Sequence, residues 1–180
     1  TPYDTTFAFG AAWATAYGDG KLDRIDPARN RVVKRIELIA ATGVIGAFDS
    51  IWATGATGLI RVDPTTNETV ARIDLPFAGW LAASDDAVWV ATGTSIVRVD
   101  PETNSMVATI PIDGPLGDPD VIDGLVWVPQ IRKNRIALVD PARNAVARYV
   151  KAGQGPFVVT QIAGEAWVPS WKGRDIWRYR

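Results

Sequence analysis

Apolar residues along this chain come in short runs of five to seven, each closed by Gly, Asp, Asn or Pro. The stretch "WLAAS" (80–84), "AVWVAT" (87–92), "SIVRVDP" (95–101) and "MVATIPI" (106–112) shows the pattern. Val, Ile, Trp and Thr fill the runs and suit a pleated, half-buried surface, while the intervening residues are turn formers. No stretch keeps a helical period, so the pattern predicts strands and hairpins throughout.

The pattern repeats. Trp falls at 13, 52, 89, 127 and 167, and Asp-Pro begins at 26, 63, 100 and 140. Asn stands four residues after each of those Asp residues, at Asn30, Asn67, Asn104 and Asn144. In Asp-Pro-x-x-Asn the Pro fixes φ for a type I turn, and the Asp side chain can accept from amides two residues on. The Asn tolerates the left-handed backbone that re-enters a strand. Each unit therefore reads as four antiparallel strands with the third and fourth joined by this turn. Four strands per unit of about 38 residues predict stacked β-propeller blades, with the periodic Trp packed between blades. The chain reads as a single all-β domain over 1–180. Its blades fall near 1–38, 39–76, 77–114, 115–152 and 153–180, the last without its fourth strand. Five blades closed on themselves, or a piece of a larger propeller, both satisfy the repeat. Open blade ends would favour self-association.

Composition narrows the chemistry. The net charge is −1, which gives no general attraction for nucleic acid or anionic lipid. No apolar run approaches the roughly 20 residues of a membrane-spanning helix. The opening residues lack a leader pattern, so Thr1 reads as a mature or a trimmed start. There is no Cys and no His. Disulfides, thiolate nucleophiles, Ser-His-Asp triads and His-based zinc sites are therefore excluded.

The repeat Trp-Val/Ala…Ile/Val-x-Arg-Val-Asp-Pro-x-x-Asn resembles bacterial propeller repeats of the Tyr-Val-Thr-Asn and streptogramin B (virginiamycin B) lyase type. That resemblance implies the propeller fold and an exported or periplasmic location. The lyase works with Mg²⁺ and catalytic His and Glu residues. With no His here, its catalytic pattern maps onto no residue, and a non-catalytic scaffold that binds a ligand or protein is expected. The alternative is a lyase- or hydrolase-type enzyme using Asp, Arg or Lys with a divalent metal.

Positions that depart from the repeat mark the candidate binding face. Blade-connecting segments contribute Tyr3, Asp4, Trp80, Asp118, Asp120 and Phe157, with Phe77 and Asp113 alongside. Loops between second and third strands contribute Tyr17, Gln130, Arg132, Trp171 and Lys172. Aromatic groups beside polar ones suit a small molecule, a glycan or a protein surface. The Asp residues of "DGPLGDPD" (113–120) are hard ligands of the type Ca²⁺ or Mg²⁺ takes, although their spacing matches no EF-hand loop. No cofactor is expected.

Overall fold

A computed structural model describes residues 1–180, all in strands, turns and connecting segments. The strands form five antiparallel sheets, each with strands in sequence order, which is the blade pattern of a β-propeller. The first sheet contains β1 (Pro2–Ala8), β2 (Ala11–Ala16), β3 (Lys21–Asp26) and β4 (Arg31–Glu37). The second contains β5 (Val44–Ala47), β6 (Ser50–Gly55), β7 (Gly58–Val62) and β8 (Thr69–Asp74). The third contains β9 (Leu81–Ala83), β10 (Val88–Ala91), β11 (Ser95–Asp100) and β12 (Ser105–Pro111). The fourth contains β13 (Asp120–Ile122), β14 (Leu125–Gln130), β15 (Arg135–Asp140) and β16 (Ala145–Lys151). The fifth has three strands, β17 (Thr160–Ile162), β18 (Glu165–Ser170) and β19 (Asp175–Tyr179).

The chain divides into two compact units, Thr1–Trp80 with Pro101–Ser105, and Leu81–Asp100 with Met106–Arg180. In the first unit, Trp13, Leu22 and Ile36 of blade 1 pack with Ile51, Ala53, Ile60 and Val62 of blade 2. In the second, Trp89 and Ile96 of blade 3 meet Val126, Val128 and Val139 of blade 4. Trp127, Ile136 and Leu138 of blade 4 then meet Ala166 and Val168 of blade 5. Alternation along each strand supplies both faces, since successive side chains point to opposite sides of the sheet.

The Asp-Pro-x-x-Asn turns behave as their residues dictate. Asp26 Oδ1 accepts from the amides of Ala28 and Arg29, at 2.9 and 3.1 Å. Asp63 Oδ1 accepts from Thr65 and Thr66, at 2.7 and 3.2 Å. These amides hold the Asp26 and Asp63 carboxyls below the usual range. All four turn asparagines take positive φ, between 47° and 62°.

A second repeated device joins neighbouring blades. The Arg two residues before the turn Asp is paired across the strands with the periodic Trp and lies over its ring. Arg24 sits 5.5 Å from the Trp13 centroid, Arg61 5.1 Å from Trp52 and Arg98 5.5 Å from Trp89. The guanidinium then reaches the next turn. Arg24 Nη1 donates to Asn67 Oδ1 at 2.7 Å. Arg61 Nη1 donates to the Pro101 carbonyl and to Asn104 Oδ1, at 2.6 and 3.1 Å. Arg98 Nη1 does the same with Pro141 and Asn144, at 3.0 and 3.1 Å. Blade 4 has Leu138 in the Arg position.

Candidate functional site

Three of the residues singled out by sequence converge in the first unit. Tyr3 lies in β1, Tyr17 just beyond β2, and Trp80 in the segment after β8. The Tyr3 and Trp80 rings stack with centroids 5.4 Å apart and planes 15° from parallel. Tyr3 and Tyr17 are also 5.4 Å apart, tilted by 35°. Buried aromatic rings gain from such contacts, but Tyr3 and Tyr17 remain about half exposed, at 53% and 51%. The cluster is a platform with open ring area rather than core.

Tyr17 also belongs to a cleft of about 440 Å³ lined by Ala40, Thr42, Gly55, Ala56, Pro76, Phe77 and Ala78. That volume lies in the range of small-ligand sites. Its wall is mostly apolar, and Gly55 brings backbone to its floor. A Cβ at Gly55 would lie 2.6 Å from the Ile39 carbonyl oxygen, so no side chain fits there. The edge is made by a tight turn, Leu75–Ala78, closed by a 3.2 Å bond from the Ala78 amide to the Leu75 carbonyl. Pro76 takes the second position. Phe77 takes the third, with φ of 61°, where a type II turn ordinarily has Gly. Phe77 is also 81% exposed. A bulky aromatic held in a left-handed conformation and pointed at solvent costs energy on both counts, and such strain concentrates at functional sites.

Asp4 stands beside this cluster in sequence but has another job. Its carboxylate accepts from the amides of Thr5 and Val44, both at 2.8 Å, tying β1 to β5. Burial raises its pKa, and the two amide bonds oppose the rise. Asp120 repeats the device in the second unit. It accepts from Val121 at 2.8 Å and Gln161 at 3.1 Å, and burial raises its pKa against those bonds.

The remaining candidates lie in the second unit and do not join one site. Gln130 is fully buried. Its amide nitrogen donates to the Asp113 carbonyl, and its Oε1 accepts from Arg135 Nε at 2.6 Å. Gln130 therefore clamps the β14–β15 connection. Asp118 and Phe157 run side by side, the Asp118 amide donating to the Phe157 carbonyl at 2.7 Å. Arg132 is exposed in the β14–β15 turn. Trp171 is 75% exposed and lies against Gly155, where a Cβ would come within 2.7 Å of the indole. Lys172 borders a separate cleft of about 470 Å³ with Lys151, Gln154, Asp175 and Trp177. Asp113 pairs with Lys133 at 2.8 Å, which lowers its pKa, so Asp113 and Asp120 are drawn into different contacts. No group of three or more acidic side chains is assembled as a cation site.

These observations define a β-propeller protein with an aromatic platform beside an apolar cleft. No known protein family profile matches the chain, and no curated protein matches it in sequence. Solved structures match it in fold. BamB from Moraxella catarrhalis superposes with a TM-score of 0.85 at 14% identity, covering 99% of this chain and 57% of that one. Hydrazine synthase from Kuenenia stuttgartiensis gives 0.82 at 11% identity, over 93% of this chain and 55% of that one. A streptogramin B lyase gives 0.65 at 16% identity, over 99% and 82%. The chain thus spans a little over half the length of the first two. Identities this low establish the propeller fold, consistent with the lyase-type repeat read from the sequence.

Proposed function

We infer that this chain is a non-catalytic binding propeller whose ligand rests on Tyr3, Tyr17, Trp80 and Phe77. The observation that carries this reading is Phe77, an exposed aromatic held at positive φ on the edge of an apolar cleft. Flat CH or π faces, such as those of a sugar ring, match a platform of this kind, and water is displaced from both partners on contact. Asp4, the carboxylate adjoining the platform in sequence, is occupied by two backbone amides rather than poised for proton transfer. The periplasm or the cell exterior is the location that accompanies this reading, supported by the family resemblance.

The test is a glycan array read alongside tryptophan-fluorescence titration of each hit. At least one glycan is expected to bind, and Trp80→Ala to weaken it about tenfold, the scale of losing one aromatic contact with its buried area. If no glycan binds in a Trp80- or Phe77-dependent way, the sugar-platform reading fails. Binding and melting temperature are expected to be the same in Ca²⁺, Mg²⁺ and EDTA. A melting shift in either ion would favour the metal-dependent alternative.

A further inference from the structure

Within the second unit, the connection from blade 4 into blade 5 differs from the connection from blade 3 into blade 4 at four matched positions. Register fixes the match. Leu116 bridges Gln130 as Pro156 bridges Ser170, and Gln130 pairs with Arg135 as Ser170 pairs with Asp175. Counting from these anchors, Asp113 corresponds to Gly153 and Lys133 to Gly173. In the earlier connection the four side chains occupy one another. Asp113 and Lys133 form an ion pair at 2.8 Å, and buried Gln130 joins the Asp113 carbonyl to Arg135. In the later one two glycines, a serine and an aspartate take their places, beside a cleft of about 470 Å³.

The two glycines bring oxygen atoms to the floor of this cleft. A Cβ on Gly153 would lie 1.9 Å from Ser170 Oγ and 2.5 Å from Asp175 Oδ1. A Cβ on Gly173 would lie 2.7 Å from the same Asp175 oxygen. Ser170 is 2% exposed, and its hydroxyl has no hydrogen-bond partner. Buried polar atoms are ordinarily bonded, and the counterpart Gln130 is bonded twice. The Ser170 hydroxyl, set against a cleft-lining glycine, therefore marks a position where a ligand oxygen would complete the network. Lys151, Lys172, Gln154 and Trp177 form the rest of the wall. Lys151 Nζ lies 5.9 Å from the Trp177 centroid, and the Trp177 indole donates to Asp175 Oδ2 at 3.1 Å. Two ammonium groups against one carboxylate leave the wall with an excess of one positive charge.

We propose that this cleft is a second ligand site, which takes a small hydroxylated monocarboxylate of the uronic-acid type. Its carboxylate meets Lys151 and Lys172, its hydroxyls donate to Asp175 and bond Ser170, and half-buried Trp177 supplies the apolar wall. Charge selects this class. A dianion such as a phosphate ester meets like charge at Asp175, and a neutral sugar leaves both lysines unmatched. The site lies wholly in the second unit and does not rest on the aromatic platform of the first.

The experiment is isothermal titration calorimetry of the 180-residue chain with glucuronate, glucose and inorganic phosphate at low salt. Glucuronate is expected to bind, with glucose and phosphate at least about tenfold weaker, the scale of one charge-assisted hydrogen bond. Lys172→Gln should weaken glucuronate by a similar factor. Lys172 is exposed, so the melting temperature should not change. Ser170→Ala should also weaken glucuronate without lowering the melting temperature, because its hydroxyl has no bond within the protein to lose. No binding of glucuronate overturns the proposal, and so does phosphate or glucose binding as tightly. Glucuronate binding that depends on Trp80 and is untouched by Lys172→Gln and Ser170→Ala belongs to the platform and overturns it too.

Discussion

Phe77 shows how one residue can work against the fold that carries it. A left-handed backbone costs a residue with a Cβ about 1–2 kcal/mol, which Gly avoids at the expense of unfolded-state entropy. Phe77→Gly is therefore expected to raise stability by about 0.5–1 kcal/mol in urea titrations while weakening any ligand held on the platform. A loss of stability would mean that the ring packs usefully in the free protein. The turn aspartates behave in the ordinary sense. The Asp63 carboxyl is held below its usual value by the Thr65 and Thr66 amides, so its stabilisation is present above about pH 4. That contribution is lost as pH falls through the lowered value. Asp4 has the opposite sign, because burial raises its pKa and its ionisation weighs against the fold. Asp63→Asn keeps an acceptor for the amides but cannot titrate. Its stability should fall less steeply than the parent's between pH 5 and 2, and an unchanged slope would refute the linkage.

At the scale of the element, the four-residue turn and the Arg ahead of it form one device. The turn sets the hairpin, and the Arg carries the hairpin's register across to the neighbouring sheet. Arg61 makes two bonds to the Pro101–Ser105 turn, two more to Ser50 Oγ and the Phe48 carbonyl, and stacks on Trp52, whereas Arg24 makes one bond and stacks on Trp13. Arg61→Ala should cost about 3 kcal/mol and Arg24→Ala about 2, summing charge-assisted bonds and ring contacts at partly buried sites. Denaturant unfolding measures both, and equal losses would mean that ring stacking dominates. The motif x-Arg-Val-Asp-Pro was visible in the sequence. Its role was not, because the Asn that completes it lies 43 residues further along.

For the whole molecule, stability is uneven. β17 is exposed along its whole length, while β6 and β10 are buried along theirs. Segments with few buried contacts open first. Amides of Thr160–Ile162 should exchange with solvent faster than those of Ile51–Ala53 or Val88–Val90 when hydrogen exchange is followed by mass spectrometry. Equal protection would show that blade 5 is covered in solution.

Period and turn chemistry were legible without coordinates because each is local. A Pro sets φ, an Asp reaches two residues on, and apolar runs of period two must bury a face. The same locality exposed Tyr3, Tyr17 and Trp80 as departures from the repeat; that their rings touch is a fact of the fold. Asp4, Asp120 and Gln130 departed from it too, yet the folded chain spends them on backbone amides, a carbonyl and Arg135. Whether a polar side chain is free or already satisfied depends on groups tens of residues away. Only tertiary structure brings those groups within hydrogen-bonding distance. The positive φ of Phe77 is likewise invisible in the letters "LPFA", because nothing local demands it. Gly55, packed against Leu38 and Ile39, and the Pro76–Ala78 turn meet only in the fold as two walls of one cleft.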